Sequence, residues 1–293
     1  MQESEQRGPY ADVLEGATHE LTGEAVSGPA AVHVAHAWGG SFPELVSCLA
    51  AHSGGDVDKR YGLDLFSADL HAPTEDPIAL VRSHVRGCQE VLLVLDGEGL
   101  ALQRAWVLFE ALVAFELGKK LVVRCCSPGG FGTTEGDVVA WERRVDAADW
   151  DQAETTRQSD RKRLQAYAQR ALDVHGRGVE RLMAQLKLQL RRDIYGQILI
   201  GAVERGDRRA VEAALDRGAN PEQQDALGNL AEELAAFAGH TELEELLFER
   251  RVGGRQHARL SAFFIPADLA AVAARMSPEL AEAVERAAPR PAE

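Results

Sequence analysis

The sequence is short of positive charge, has little cysteine and contains no long apolar run. It carries 32 Lys and Arg against 46 Asp and Glu, for a formal net charge of −14. That balance argues against nonspecific binding to nucleic acid or to an anionic membrane face, both of which need a positive footprint. The one basic cluster, Arg157, Arg161, Lys162 and Arg163, is interleaved with acidic residues and reads as a solvated helix face. The four cysteines are Cys48, Cys88, Cys125 and Cys126. They form no C-x-x-C pair, and the adjacent Cys125 and Cys126 fit a zinc site poorly. They read as reduced thiols of a cytoplasmic protein. Met1 to Arg7 is polar and acidic, unlike a signal peptide, and no apolar stretch approaches membrane-spanning length. A serine hydrolase would show G-x-S-x-G after a strand, and the sequence has none.

What is present is ordinary for a soluble globular protein: 45% apolar and 27% charged residues over 293 positions. The length suits two modest domains with tails. Residues 1–29 read as a loose leader. From residue 30, strands and helices alternate. Ala31 to Ala35 is a short apolar run, and Ser41 is placed to cap a helix over Phe42 to His52. Tyr61 to Phe66 reads as a second strand. Asp76-Pro77 opens a helix with Pro in its first turn, running to about Cys88. Glu90 to Asp96 is the clearest strand, Lys120 to Cys125 a fourth, and Arg144 to Ala147 a weak fifth. Continuous rather than alternating apolar strands imply a parallel sheet covered on both faces. The expectation for residues 30–150 is therefore an α/β, doubly wound, flavodoxin-like sheet of order 2-1-3-4-5. Ligands in such a fold sit at the carboxyl ends of the strands where the order reverses, here between His36–Gly40 and Asp96–Gly99.

Beyond residue 150 the pattern turns helical. Residues 151–192 read as a helical extension, with apolar helical spacing over Asp160 to Leu172 and Val179 to Arg192. Residues 193–252 then contain an echo at a period of 33: Ala202 with Ala235, Gly206 with Gly239, and Ala213-Ala214 with Leu246-Leu247. The period and the Gly218-Ala219-Asn220-Pro221 segment resemble the ankyrin repeat. The usual T-P-L-H segment is replaced by Leu230-Ala231-Glu232-Glu233. Residues 253–293 read as a small helical pair split by Ser277-Pro278, with a Pro-rich end.

One carboxylate stands out. Between Ala105 and Phe115 every residue is apolar except Glu110. A helix apolar all round is buried all round. A Glu inside it must be paired, protonated or aimed into a cavity, and such circumstances can mark either chemistry or a structural ion pair.

Trp106 and Glu110 are four residues apart and share a helix face. A W-x-x-x-E on the helix after the third strand of such a sheet resembles the Toll/interleukin-1 receptor homology (TIR) domain. Where that family often has W-C-x-x-E-L, this chain has Trp106-Val107-Leu108-Phe109-Glu110-Ala111. Val34 to Gly39 with Leu63 to Phe66 is also similar to fungal heterokaryon-incompatibility domains, distant relatives of TIR. The resemblance covers about residues 30–150. It implies an NAD(P)+ hydrolase that cleaves the bond between nicotinamide and ribose, with Glu110 as the catalytic residue. Trp38, His36, Gly39, Ser67, Asp69 and Trp106 are the candidates for the substrate cleft. No metal and no cofactor beyond the substrate NAD+ is implied, and self-association is. The competing expectation is a non-enzymatic signalling scaffold that recruits protein partners through its helical repeats. Each cleft residue has an ordinary reading too. Trp38 is equally suited to capping the core edge, His36 to packing, and Gly39 to a tight turn. Arg104 is suited to a phosphate or to the helix start. Asp96-Gly97-Glu98-Gly99 is too short for a dinucleotide fingerprint and reads as a chain turn.

Overall fold

The computed structural model describes residues 16–18, 23, 25, 27–63, 76–172, 178–225 and 227–262, with side chains as far as residue 252, residues 171 and 172 excepted. Four strands lie in it: β1 (Val32–Ala35), β2 (Tyr61–Leu63), β3 (Glu90–Leu95) and β4 (Lys120–Cys125). All neighbours are parallel, in the order β2-β1-β3-β4. The first four positions of the anticipated order are thus present. Alternate residues of each strand serve different cores. Val32, Val34, Leu92, Val94 and Val122 pack with helix α1 (Phe42–Ser53). Ala35, Val91, Leu93, Leu95, Leu121 and Val123 join the larger core on the opposite face. Burial on both faces is why the strand interiors are mainly apolar rather than alternating, with His33 the exception in β1.

The larger core holds α2 (Pro77–Gly87) and α3 (Ala105–Glu116) against the sheet. Each helix starts where its local chemistry says it should. The Ser41 side chain accepts from the Glu44 N–H at the head of α1. The Asp76 carboxylate accepts from the Ile78 N–H, with Pro77 at the first position of α2. These caps satisfy backbone donors that a helix leaves unpaired.

The anticipated fifth strand does not form. Arg144 to Ala147 is the last turn of a helix, α4 (Glu135–Ala147). Thr134 and Asp137 make a reciprocal capping box at its head, and Val138, Trp141 and Val145 recur at helical spacing on its buried side. Four residues of weak strand propensity do not overcome a capped amphipathic helix.

The place beside β4 is taken by a helix. α5 (Gln158–Tyr167) ends in a π-helical turn over Ala168–Leu172. Then α6 (Gly178–Glu204) runs through residue 193, where the sequence suggested a boundary, without a break. Its Asp193 Oδ2 accepts from the Val123 N–H at 3.1 Å, and its Gln197 Nε2 donates to the Val123 carbonyl at 3.0 Å. One helix turn thereby supplies both hydrogen bonds that a fifth strand would have offered this residue.

The echo at 33 residues corresponds to repeated backbone geometry. After α6, the Gly206 and Asp207 N–H groups donate to the Val203 and Ala202 carbonyls; after α8 (Ala231–Phe237), Gly239 and His240 donate to Ala236 and Ala235. Both glycines are left-handed, with φ of 69° and 75°, a conformation that costs Gly little. The helices that follow are α7 (Arg208–Asp216) and α9 (Thr241–Ala262). The larger core continues from the sheet through α6 to Leu247 of α9 as one apolar cluster.

Candidate functional site

Glu110 lies in the middle of α3, 5% exposed, among Leu108, Phe109, Ala111, Leu112, Val113 and Ala114, all of them fully buried. Facing it is His33 of β1, 2% exposed, whose Nε2 stands 3.4 Å from Glu110 Oε1. His33 occupies a position of β1 directed to the α2–α3 side, alternating with Val32 and Val34, which point toward α1. Beyond it the ring of His84 on α2 is centred 6.4 Å from the His33 ring, tilted by 41°. A buried carboxylate and imidazole thus join α3 to β1, with the half-buried His84 ring of α2 at the border of the seam. Cys88, next to this seam, is a buried thiol that donates to the Val85 carbonyl at 3.0 Å. Burial raises its pKa.

His33 precedes the end of β1 by two residues. At the rise of a strand, this sets the seam about 7 Å beneath the carboxyl edge of the sheet. Trp106 stands one turn nearer that edge on the same helix. It is half-buried and meets Phe109 edge-on, with ring centroids 5.8 Å apart. Phe109 in turn meets Tyr167 edge-on at 5.4 Å. The Tyr167 hydroxyl donates to Glu116 at 3.0 Å, and Arg82 pairs with the same carboxylate at 2.7 Å. Burial first, and then Glu116, push the Tyr167 pKa up. The motif Trp therefore belongs to an aromatic stack that ties α3 to α5.

The other anticipated cleft residues divide. His36 is half-buried just past β1, and Trp38 lies in the following turn with 55% of its surface exposed. Among the described residues, a side chain at Gly39 would meet nothing within 4 Å, so none of them requires glycine there by close approach. Ser67 and Asp69 lie outside the described residues.

Two features of the crest are already engaged. The Asp96 carboxylate accepts from the N–H groups of Glu98, Leu100 and Ala101 at 2.9, 3.1 and 3.1 Å. The Gly97 N–H donates to Ser127 Oγ at 2.7 Å. The donors that a phosphate would seek at a helix start are thus filled from within. Arg104 donates to Thr156 Oγ1 at 2.8 Å and lies 3.7 Å from Glu154, which ties down the segment after α4. That is an observed alternative to its phosphate reading. Residues Arg161, Lys162 and Arg163 lie on the outer side of α5, whose Leu164 is buried.

Sequence reasoning missed His33 and His84. A faint signal existed: His33 is the one polar residue in Val32-His33-Val34-Ala35, as Glu110 is in its helix. Two polar exceptions in elements destined for one interface are candidates for each other. Among the described residues, no group of three or more His, Cys, Asp or Glu is arranged to hold a metal, and no helix is long and apolar enough to cross a membrane. Comparison with protein-family models, with curated proteins and with solved structures finds no match to this chain.

Proposed function

We propose that residues 30–150 form a flavodoxin-like, TIR-like domain and that it hydrolyses NAD(P)+ with Glu110 as its catalytic carboxylate. The reading is supported chiefly by one observation: an apolar helix retains a carboxylate at 5% exposure, opposite a buried, titratable His33. Replacing such a pair by apolar residues is often neutral or stabilising, so stability alone is a weak reason to keep it. In the reaction the bond between C1′ of the ribose and the nicotinamide nitrogen breaks. The electron pair leaves with nicotinamide, and water adds to C1′, giving ADP-ribose and a proton. The ribose ring passes through an oxocarbenium-like state, and a fixed carboxylate in a dry setting stabilises that positive charge far better than water does. Trp106, one turn nearer the sheet edge, and Trp38, exposed above β1, are the aromatic surfaces available to the substrate rings.

The test is NAD+ and NADP+ consumption by concentrated protein. Glu110→Gln is expected to lower turnover by about 100-fold or more. Turnover equal to that of the unchanged chain removes Glu110 from the mechanism.

A second reading, the non-enzymatic scaffold, is favoured by a different observation. Residues 193–252 resemble two ankyrin-like helix pairs, and the second pair carries exposed Phe237, Phe248 and Val252. On helical spacing, Phe237 is about 200° from the inward-facing Ala235. Phe248 is about 200° from Leu246, which shares a stripe with Glu242 and Arg250, whose partners are on α7. The apolar residues therefore look away from the preceding pair, where a further repeat or a protein partner would stack.

A further inference from the structure

We propose that His33 is a positioning residue for Glu110: from β1 it holds Oε1 of the carboxylate and fixes the charge of the pair, with the His84 ring of α2 beyond it. The proposal rests on the hydrolase reading above only for its consequence in catalysis; the pairing itself stands on geometry. Two elements, α3 and β1, each contribute one polar side chain to an otherwise apolar interior, and the half-buried His84 of α2 borders them. The His33 Nε2 to Glu110 Oε1 separation of 3.4 Å lies within ion-pair range, and both groups are almost wholly removed from water. In such surroundings a carboxylate and an imidazole do not ionise independently. A charged Glu110 favours an imidazolium at His33, and a neutral His33 favours a protonated Glu110. A carboxylate that must meet a developing cation needs the first state, and His33 is the group placed to maintain it. Among the described residues, titratable or charged groups near the seam include His84 and Cys88 from the α2 side, Lys119 after α3, and Glu90 on β3. Lys119 donates to the Arg86 and Cys88 carbonyls at the end of α2, and Glu90 has its own cationic partners. His33 Nε2, at 3.4 Å from Glu110 Oε1, is close enough for each group to bias the ionisation of the other.

The primary experiment needs no activity. Imidazole nitrogen and carbon shifts of His33 are followed by NMR against pH in the full chain and in Glu110→Gln. Removing the negative charge is expected to lower the His33 midpoint by at least about one pH unit, a tenfold change in proton affinity. An unchanged midpoint overturns the proposal, whatever the protein's activity. If the unchanged chain consumes NAD+, His33→Gln is expected to lower kcat by about 10- to 100-fold with KM little altered, and to displace the acid limb of the pH profile. A variant with normal kcat and a normal pH profile, alongside an inactive Glu110→Gln, likewise overturns it. If the chain consumes no NAD+ while the coupled titration is present, the hydrolase reading fails and the pair remains. Thermal unfolding of both variants separates these outcomes from loss of fold.

Discussion

Glu90 and Glu110 are both carboxylates set into the sheet's core, and their surroundings differ in kind. Glu90, at the start of β3, has Lys59 Nζ at 3.2 Å and His52 Nε2 at 3.3 Å on one oxygen, and Lys120 Nζ at 3.2 Å on the other. Tyr61 OH lies 2.9 Å from His52 Nδ1 and donates to the Leu49 carbonyl at 3.1 Å. Burial works to raise the Glu90 pKa, but hydrogen bonds and charge from Lys120 and Lys59 carry it below its ordinary value. Burial first, and then Lys59, lower the pKa of His52. Both folded-state values are therefore depressed, and the linkage has one sign for both. The His52 contribution is complete above its ordinary 6.5 and is lost as pH falls through the folded value; that of Glu90 is complete above 4.5 and is lost further down. Glu90→Gln should remove the lower stage of acid destabilisation. At neutral pH it should cost about 1–2 kcal/mol, less than a fully enclosed pair because the lysines still reach water. Urea unfolding at a series of pH values checks this, and an unaltered acid slope would refute it. By contrast, Glu110 lies in the apolar interior, where His33 is the ion-pairing neighbour described.

At the scale of elements, the β4 edge shows what α6 contributes. Asp193 is held ready by Gln189, which donates to its other oxygen at 2.8 Å, and burial raises its pKa. Converting Asp193 and Gln197 together to Ala leaves the Val123 N–H and carbonyl without these partners. The expected loss is about 1–3 kcal/mol, chiefly for the N–H, because the carbonyl keeps a donor in Arg124 Nη1 at 3.0 Å. An open parallel edge also invites pairing with another chain. Sedimentation should therefore become more concentration-dependent than for the unchanged protein; equal stability and equal sedimentation would sink the argument. Nothing in the sequence near Val123 announces this arrangement, because its partner lies 70 residues away and is a helix. Much else was legible locally. β1, β3 and β4 follow from mainly apolar runs, α1 and α2 from Ser41 and Asp76-Pro77, and α3 from an apolar run that Glu110 alone interrupts. The motif pair Trp106 and Glu110 was legible at a spacing of four, but its partner His33 was not, since a strand residue carries no mark of the helix that will cover it. The mistaken fifth strand had a readable correction in the Thr134–Asp137 box and the spacing of Val138, Trp141 and Val145. The engagement of Arg104 by Thr156 and Glu154 was beyond local pattern, as was the filling of the crest donors by Asp96.

For the whole molecule, the question is whether residues 30–150 stand alone, as a sequence boundary at 150 suggests. The packing argues that they do not. Leu186, Leu190 and Ile194 of α6 are fully buried in the same cluster as Leu108 and Leu112 of α3 and Val145 of α4. Each such side chain removed from water contributes about 1.5–3 kcal/mol, an appreciable fraction of a typical domain's stability of about 5–15 kcal/mol. α4 is further tied to the residue capping the end of α7 by the Glu142–Arg217 pair at 2.9 Å, and α6 closes the edge of β4. A fragment ending at residue 150 would expose the apolar faces of α3 and α4 together with an unpaired strand edge, a combination that favours aggregation. We predict that it lacks a cooperative thermal transition and associates as its concentration rises. The full chain should lose its sheet and its α6–α9 helices in one transition, seen alike by near-ultraviolet and far-ultraviolet circular dichroism. A monomeric fragment melting cooperatively at the midpoint of the full chain would mean that the shared core is dispensable. The helical module would then be an attachment to an independent sheet rather than the wall that completes it.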